Sequence, residues 1–167
     1  IYTCRRDAQP EPMSQMLKAF LYGALICLPV SFVEQGISVL LFGPGGQPVT
    51  LTGSTLEAFL VAAVPEEGFK LLALWLILRK NPFFDEHYDG IVYAVCVGLG
   101  FAAIENLGYV LGHADVWLSV AVSRALLAVP GHYAFAVFMG YYYSRYHFGR
   151  KTAGNLLSIF FVPVLAH

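Results

Sequence analysis

The chain has 167 residues, 57% of them hydrophobic and only 13% charged, with a net charge of -1. A soluble domain carries about 25% charged residues, so this apolar surplus exceeds what an ordinary water-exposed fold can hide. The apolar residues also gather into long runs, which points to a polytopic membrane protein, and the near-neutral charge provides no basic field for a nucleic-acid partner.

Residues 1–15 read as a short cytoplasmic segment, and 16–167 as one transmembrane helical domain. The first apolar run extends from about Met16 to Phe42 and the second from about Leu56 to Leu78. The third covers about Tyr88 to Leu111 and the fourth about Val116 to Tyr143. A fifth starts near Asn155 and is cut off at His167, so the domain is expected to be incomplete at its C-terminal end. Each complete run reaches the roughly 20 residues a helix needs to cross a hydrocarbon core. Backbone groups in lipid must be satisfied within a helix or a closed barrel, and runs of this length are helices. The expected fold is therefore an all-α, polytopic transmembrane bundle of about five spans. No secretory leader is visible, because the first run is too long and lacks a clear cleavage site.

The connections set the topology. Gly43 to Thr55 is rich in turn residues and carries no charge, and Gly112 to Asp115 is a tight hairpin. Arg79 and Lys80 follow the second run, where Asn81-Pro82 should stop the helix. Arg145, Arg150 and Lys151 follow the fourth, and Arg5, Arg6 and Lys18 precede or open the first. These eight of the ten cations fall on one side, which the positive-inside rule makes cytoplasmic. The expectation is a multi-pass protein of the cell membrane with a cytoplasmic N-terminus. Trp117 and the Tyr141-Tyr142-Tyr143 triplet bound the fourth run as interfacial aromatics do. Cys4, Cys27 and Cys96 are odd in number and widely spaced; Cys27 and Cys96 read as small buried hydrophobes.

Glu34, Glu66, Glu67, Lys70, Glu105, Arg124, His132 and His167 all fall within apolar runs. A charge at mid-bilayer costs about 2.5 to 3.5 kcal/mol on insertion scales, so such groups should face one another or a water-filled cavity. Counting along each run, Glu66, Glu67, His132 and His167 come to similar depths, roughly 15 to 18 Å from the face at which their helices enter. Glu105 sits somewhat nearer the external face. Glu66 and Lys70 share a helix face in the favoured order for an i,i+4 ion pair. Phe101 and Glu105 share another, with Asn106 beside them. Pro65 and Pro130 each precede an ionisable cluster and should free backbone carbonyls there. Arg124 reads as a counter-charge to a glutamate. Glu34, with Gln35 and Gly36, marks either the outer end of the first span or a helix–helix hydrogen bond.

PEEGFK resembles the EExxK motif of the PrsW family of intramembrane proteases, which belongs with the CAAX-prenyl endopeptidases and CPBP proteins. GLGFAAIENLGY resembles that family's FxxxEN motif, SRALLAVPGHYAF its arginine-then-PGH motif, and VLAH the start of its last histidine motif. The resemblance covers roughly Leu56 to His167. It implies that Glu66 and Glu67 are the paired glutamates needed for proteolysis and that Lys70 closes their motif. Glu105 and Asn106 would be the second polar pair, and His132 and His167 the completing histidines. The implied role is regulated proteolysis of a membrane-anchored, anti-sigma-factor-like protein.

The chemistry is consistent with that role. Amide hydrolysis needs an activated water and a stabilised oxyanion. Two adjacent carboxylates in a low dielectric do not both ionise easily, which leaves one poised to take a proton from water. A histidine can serve the leaving amine, and Asn106 or the other histidine the oxyanion. No serine, cysteine or threonine lies in an evident charge-relay setting, which favours a water nucleophile over a covalent one. Glu105, His132 and His167 also form a Glu/His/His set of the kind that zinc hydrolases use, although no HExxH motif is present. Glutamate-activated water is the preferred reading, with zinc as the open alternative. Competing classes are a proton- or cation-coupled transporter and a non-catalytic family member; no paired repeat with broken helices supports the transporter. The expected partners are a membrane protein or peptide substrate and the lipid bilayer.

Overall fold

The structure, a computed structural model, describes residues 11–167. Cys4, Arg5, Arg6 and most of the expected cytoplasmic segment lie outside the described residues. Among those described, all regular structure is helical. Helix α1 is Met13–Phe42. A second helical run comprises α2, Leu51–Leu56, a π-helical stretch, Glu57–Ala63, and α3, Val64–Leu78. The remaining helices are α4, His87–Gly112, α5, Trp117–Leu126, α6, Ala128–Phe148, and α7, Ala153–Ala166.

Among the described residues, three stretches are long and apolar enough to cross a membrane: Met13–Phe42, His87–Gly112 and Trp117–Phe148. The second expected span is helical from Leu51 to Leu78 but divided into pieces of 6, 7 and 15 residues. The fifth is a 14-residue apolar helix.

Proline explains both interruptions next to the ionisable clusters. Pro65 has no N–H to offer the carbonyl four residues back, that of Val61. The backbone ahead of it widens into the π form, with the Val64 N–H donating to the Phe59 carbonyl. Such a widened turn re-aims the side chains that follow it. Pro130 likewise leaves the Leu126 carbonyl without its usual donor. The regular helix is interrupted at Leu127 (φ -115, ψ -57), between α5 and α6, within a stretch expected as one helix.

Helix α4 lies at the centre, packed against α1 on one side and α6 on another, while α3 contacts α1, α4 and α7. Its Tyr93, Val97 and Phe101 are buried, together with Leu74 of α3 and Met139 of α6. In lipid the hydrophobic effect does little to drive helices together, so close packing matters more. Glycines supply it: a Cβ on Gly100 would strike the Phe20 backbone of α1, and one on Gly140 would strike the Gly90 backbone of α4. The opposite face of α1 presents Leu21, Leu25, Leu28, Phe32 and Leu40 outward, as a lipid-facing stripe does.

Helix ends are locally satisfied. Helix α4 opens with a reciprocal cap between Glu86 and Asp89, whose Oδ2 accepts from the Asp85 N–H at 3.0 Å and the Glu86 N–H at 2.6 Å. The Thr152 hydroxyl accepts from the Asn155 N–H at 3.2 Å to start α7. Near the same end of the bundle, the buried Tyr93 hydroxyl donates to Glu11.

Candidate functional site

The first turn of α3 carries Glu66 and Glu67, and Lys70 follows one turn later. The Lys70 ammonium donates to Glu66 Oε2 at 2.8 Å, to Glu67 Oε1 at 2.8 Å and to His132 Nδ1 of α6 at 3.0 Å. An ammonium has three protons and accepts nothing, so these partners use its whole capacity. His132 must therefore offer the lone pair of Nδ1, which leaves the proton on Nε2. That nitrogen donates to Glu105 Oε2 of α4 at 2.9 Å.

Glu105 is held from its other side by Arg124 of α5, whose Nη2 lies 2.7 Å from the same Oε2. The Arg124 Nε donates to Asn106 Oδ1, and the guanidinium stacks 3.8 Å from the centre of the Tyr109 ring. On either side of Leu127, α5 brings Arg124 to Glu105 of α4, and α6 carries His132 to the same Glu105 and to Lys70 of α3. From α7, His167 Nε2 reaches to 3.3 Å from Glu66 Oε2. The two imidazoles are 5.9 Å apart, ring centre to ring centre.

Burial makes these contacts consequential. Glu66, Glu67, Lys70 and His132 are each no more than 5% exposed. Charges so placed persist only when paired and hydrogen-bonded. The Lys70 ammonium also lies 4.2 Å from the centre of the Phe101 ring, a second favourable surface for a cation.

A cavity of about 560 Å³ adjoins the cluster between α1, the π stretch and α4. Glu66 and Glu105 line it, as do Cys27, Ser31, Glu34 and Glu57. Glu67 does not. The two adjacent glutamates thus differ: Glu66 reaches the cavity, whereas Glu67 is fully enclosed and its Oε2 has no hydrogen-bond partner among the described residues.

All five side chains expected at the site gather in this region, along with Lys70, Arg124 and Asn106. The grouping differs in one respect from the expected metal set of Glu105, His132 and His167. The ligand atoms that lie within 4.8 Å of one another belong to Glu66, Glu67, His132 and His167. Glu105 instead binds the far nitrogen of His132 and the Arg124 guanidinium. Sequence reasoning missed the contributions of Cys27, Ser31 and Glu57 to the cavity wall. Spacing along one helix carries no signal for a wall built by three. The Ser31 hydroxyl donates to the Cys27 carbonyl at 3.0 Å, a contact to backbone rather than to a general base.

Residues 11–167 match the family described as PrsW family intramembrane metalloprotease. A Protease PrsW of Geobacillus kaustophilus (strain HTA426) is 36% identical over 162 residues, covering 96% of this chain and 67% of the relative. That of Oceanobacillus iheyensis is 34% identical, covering 99% and 73%, and that of Clostridioides difficile (strain 630) is 35% identical, covering 94% and 66%. No solved structure matches. With its buried Glu/His cluster and a family match that runs through every described residue, the chain belongs to the PrsW family of intramembrane proteases.

Proposed function

We propose that the chain is an intramembrane endopeptidase that hydrolyses a peptide bond of a membrane-anchored substrate, of the anti-sigma-factor kind, with a water activated by Glu66. The observation that carries this reading is Glu66 itself. It is a buried carboxylate on the wall of a cavity, bonded to Lys70 and approached by His167 from a separate helix.

A water in the cavity gives a proton to Glu66 as its oxygen attacks the carbonyl carbon of the scissile bond. As the C–N bond breaks, that proton passes from Glu66 through His167, 3.3 Å from the same carboxylate, to the departing amine, and Glu66 is again a carboxylate. Lys70 spends its three protons on Glu66, Glu67 and His132, so it favours negative charge developing on the carbonyl oxygen through its field alone, at low dielectric. Glu67 holds Lys70 in place, and Glu105 holds His132 in the tautomer that faces Lys70. We assign Asn106 to fixing Arg124 rather than to the oxyanion, because its Oδ1 accepts from that guanidinium.

The donor set also suits zinc, which accepts carboxylate and imidazole ligands in this combination. Glu67 Oε2, buried without a hydrogen-bond partner among the described residues, is an oxygen available to another ligand. Glu66, Glu67, His132 and His167 would hold the ion. Once bound, it would supply Lewis acidity and a more acidic water. Glu105 on the far nitrogen of His132 is the kind of carboxylate that orients a metal-binding imidazole.

In the membrane we place five crossings: α1, the run Leu51 to Leu78, α4, α5 with α6, and α7. The N-terminus is cytoplasmic, with residues 1–15 preceding the protease domain at 16–167. The wider kinship with CAAX-prenyl endopeptidases and CPBP proteins rests on the short motifs and belongs to this proposal.

The test is cleavage of a membrane-anchored reporter in proteoliposomes by Glu66→Ala, Glu67→Ala and His132→Ala, each checked for folding. All three are expected to fold and to lose cleavage; unchanged cleavage in all three overturns the reading. Chelation separates the two chemistries: activity lost and then restored by zinc assigns a metal, and activity that survives complete metal removal assigns the glutamate alone.

A further inference from the structure

The Lys70 ammonium stands among the groups that would bind a metal. Nζ takes Glu66 Oε2 and Glu67 Oε1 at 2.8 Å each and His132 Nδ1 at 3.0 Å, three of the four residues in the donor set. The carboxylates have second oxygens to spare, but the one lone pair of His132 Nδ1 cannot serve an ammonium and a divalent cation at once, and Nε2 is already turned to Glu105. Two like charges packed into so small a volume also repel strongly at low dielectric.

We propose that Lys70 is the built-in counter-cation of this donor set, and that a divalent metal enters only by displacing its ammonium toward the ring of Phe101. The seat for the displaced group is already in contact, since Nζ lies 4.2 Å from the centre of that ring. An aromatic face attracts a desolvated cation, so the ring would keep the ammonium favourably placed once its polar partners turned to the metal. Without metal, the ammonium prevents Glu66 and Glu67 from facing each other uncompensated. With metal, the ion takes over that neutralisation. Lysine suits the task because its charge is compact and its four-carbon stem is flexible, whereas a guanidinium is planar and delocalised.

The inference rests on the proposed site and is read by binding rather than by cleavage, so the two stand or fall on different data. The full chain, purified in detergent and stripped of metal, is titrated with zinc against a chromophoric chelator, and with cobalt followed by its visible absorption. Lys70→Met is expected to bind zinc at least tenfold more tightly than the wild type. Its melting temperature is expected to fall without metal and to recover when zinc is added. A lysine of merely structural importance would give the opposite, weaker binding alongside lower stability. Phe101→Leu keeps the lysine and removes its second seat, so it is expected to weaken zinc binding about threefold or more. In the Lys70→Met background the same change is expected to do little. Equal or weaker affinity in Lys70→Met, no effect of Phe101→Leu, or no binding by any form each overturns the proposal. Proteolysis that persists without metal leaves the hydrolase standing while this inference is judged on affinity alone.

Discussion

Replacing Arg124 with methionine tests whether the outer part of the cluster governs the inner part. The substitution keeps the length of an apolar stem but removes the guanidinium. Glu105 loses its 2.7 Å ion pair, Asn106 its donor, and the Tyr109 ring its cation. Breaking a fully buried pair from one side costs about 3 to 5 kcal/mol, and a solvent-exposed pair about 0 to 1 kcal/mol. Both side chains here are 17% exposed and Glu105 retains His132, which places the loss at about 2 kcal/mol. Glu105 would then orient His132 less firmly, and loss of such an orienting carboxylate typically lowers activity about ten- to hundredfold. The assay pairs thermal unfolding in detergent with reporter cleavage, for Arg124→Met, Glu105→Gln and the double variant. We expect a coupling energy of about 1 kcal/mol or more between the two sites. Coupling below about 0.5 kcal/mol with unaltered cleavage would refute the reasoning.

Two further substitutions probe how the fold positions the cluster. Gly140→Val should destabilise by about 1 to 3 kcal/mol, because its side chain would meet the Gly90 backbone where α6 crosses α4; chemical denaturation in micelles measures it. Pro130→Ala gives the Leu126 carbonyl a donor again and should favour one continuous helix across Leu127. We expect stability to hold or rise while cleavage falls at least tenfold, because Arg124 and His132 would no longer share Glu105; unchanged cleavage would mean that the break does not position the site.

The helical class and the gathering of the ionisable side chains were legible in the sequence because both follow from one constraint. A polar group in an apolar run has few places to go, so Glu66, Glu105, His132 and His167 could be expected to find one another. The i,i+4 spacing also revealed the Glu66–Lys70 contact. What resisted reading were the irregularities and the three-dimensional pairings. Pro65 and Pro130 announced a weakened ladder, but not that one would yield a π stretch and the other a break at Leu127. Which imidazole nitrogen faces which carboxylate depends on helix rotation, and a turn of uncertainty is enough to exchange them. Glu105 therefore looked like a member of the metal-type set, when its reach is to the outer nitrogen of His132 and to Arg124. The difference in access between Glu66 and Glu67 was equally invisible, since the cavity beside Glu66 is walled by α1, the π stretch and α4 together, and Glu67 is buried away from it.

The most direct measurement is the cleavage rate of Glu66→Gln in proteoliposomes, set beside its melting temperature. Glutamine preserves shape and hydrogen-bonding reach but cannot take a proton from water, and a positioned general base contributes about 10² to 10⁴ in rate. The account predicts a protein that melts within a few degrees of the wild type and cuts at least a hundredfold more slowly. A well-folded Glu66→Gln that cleaves at the wild-type rate would contradict it.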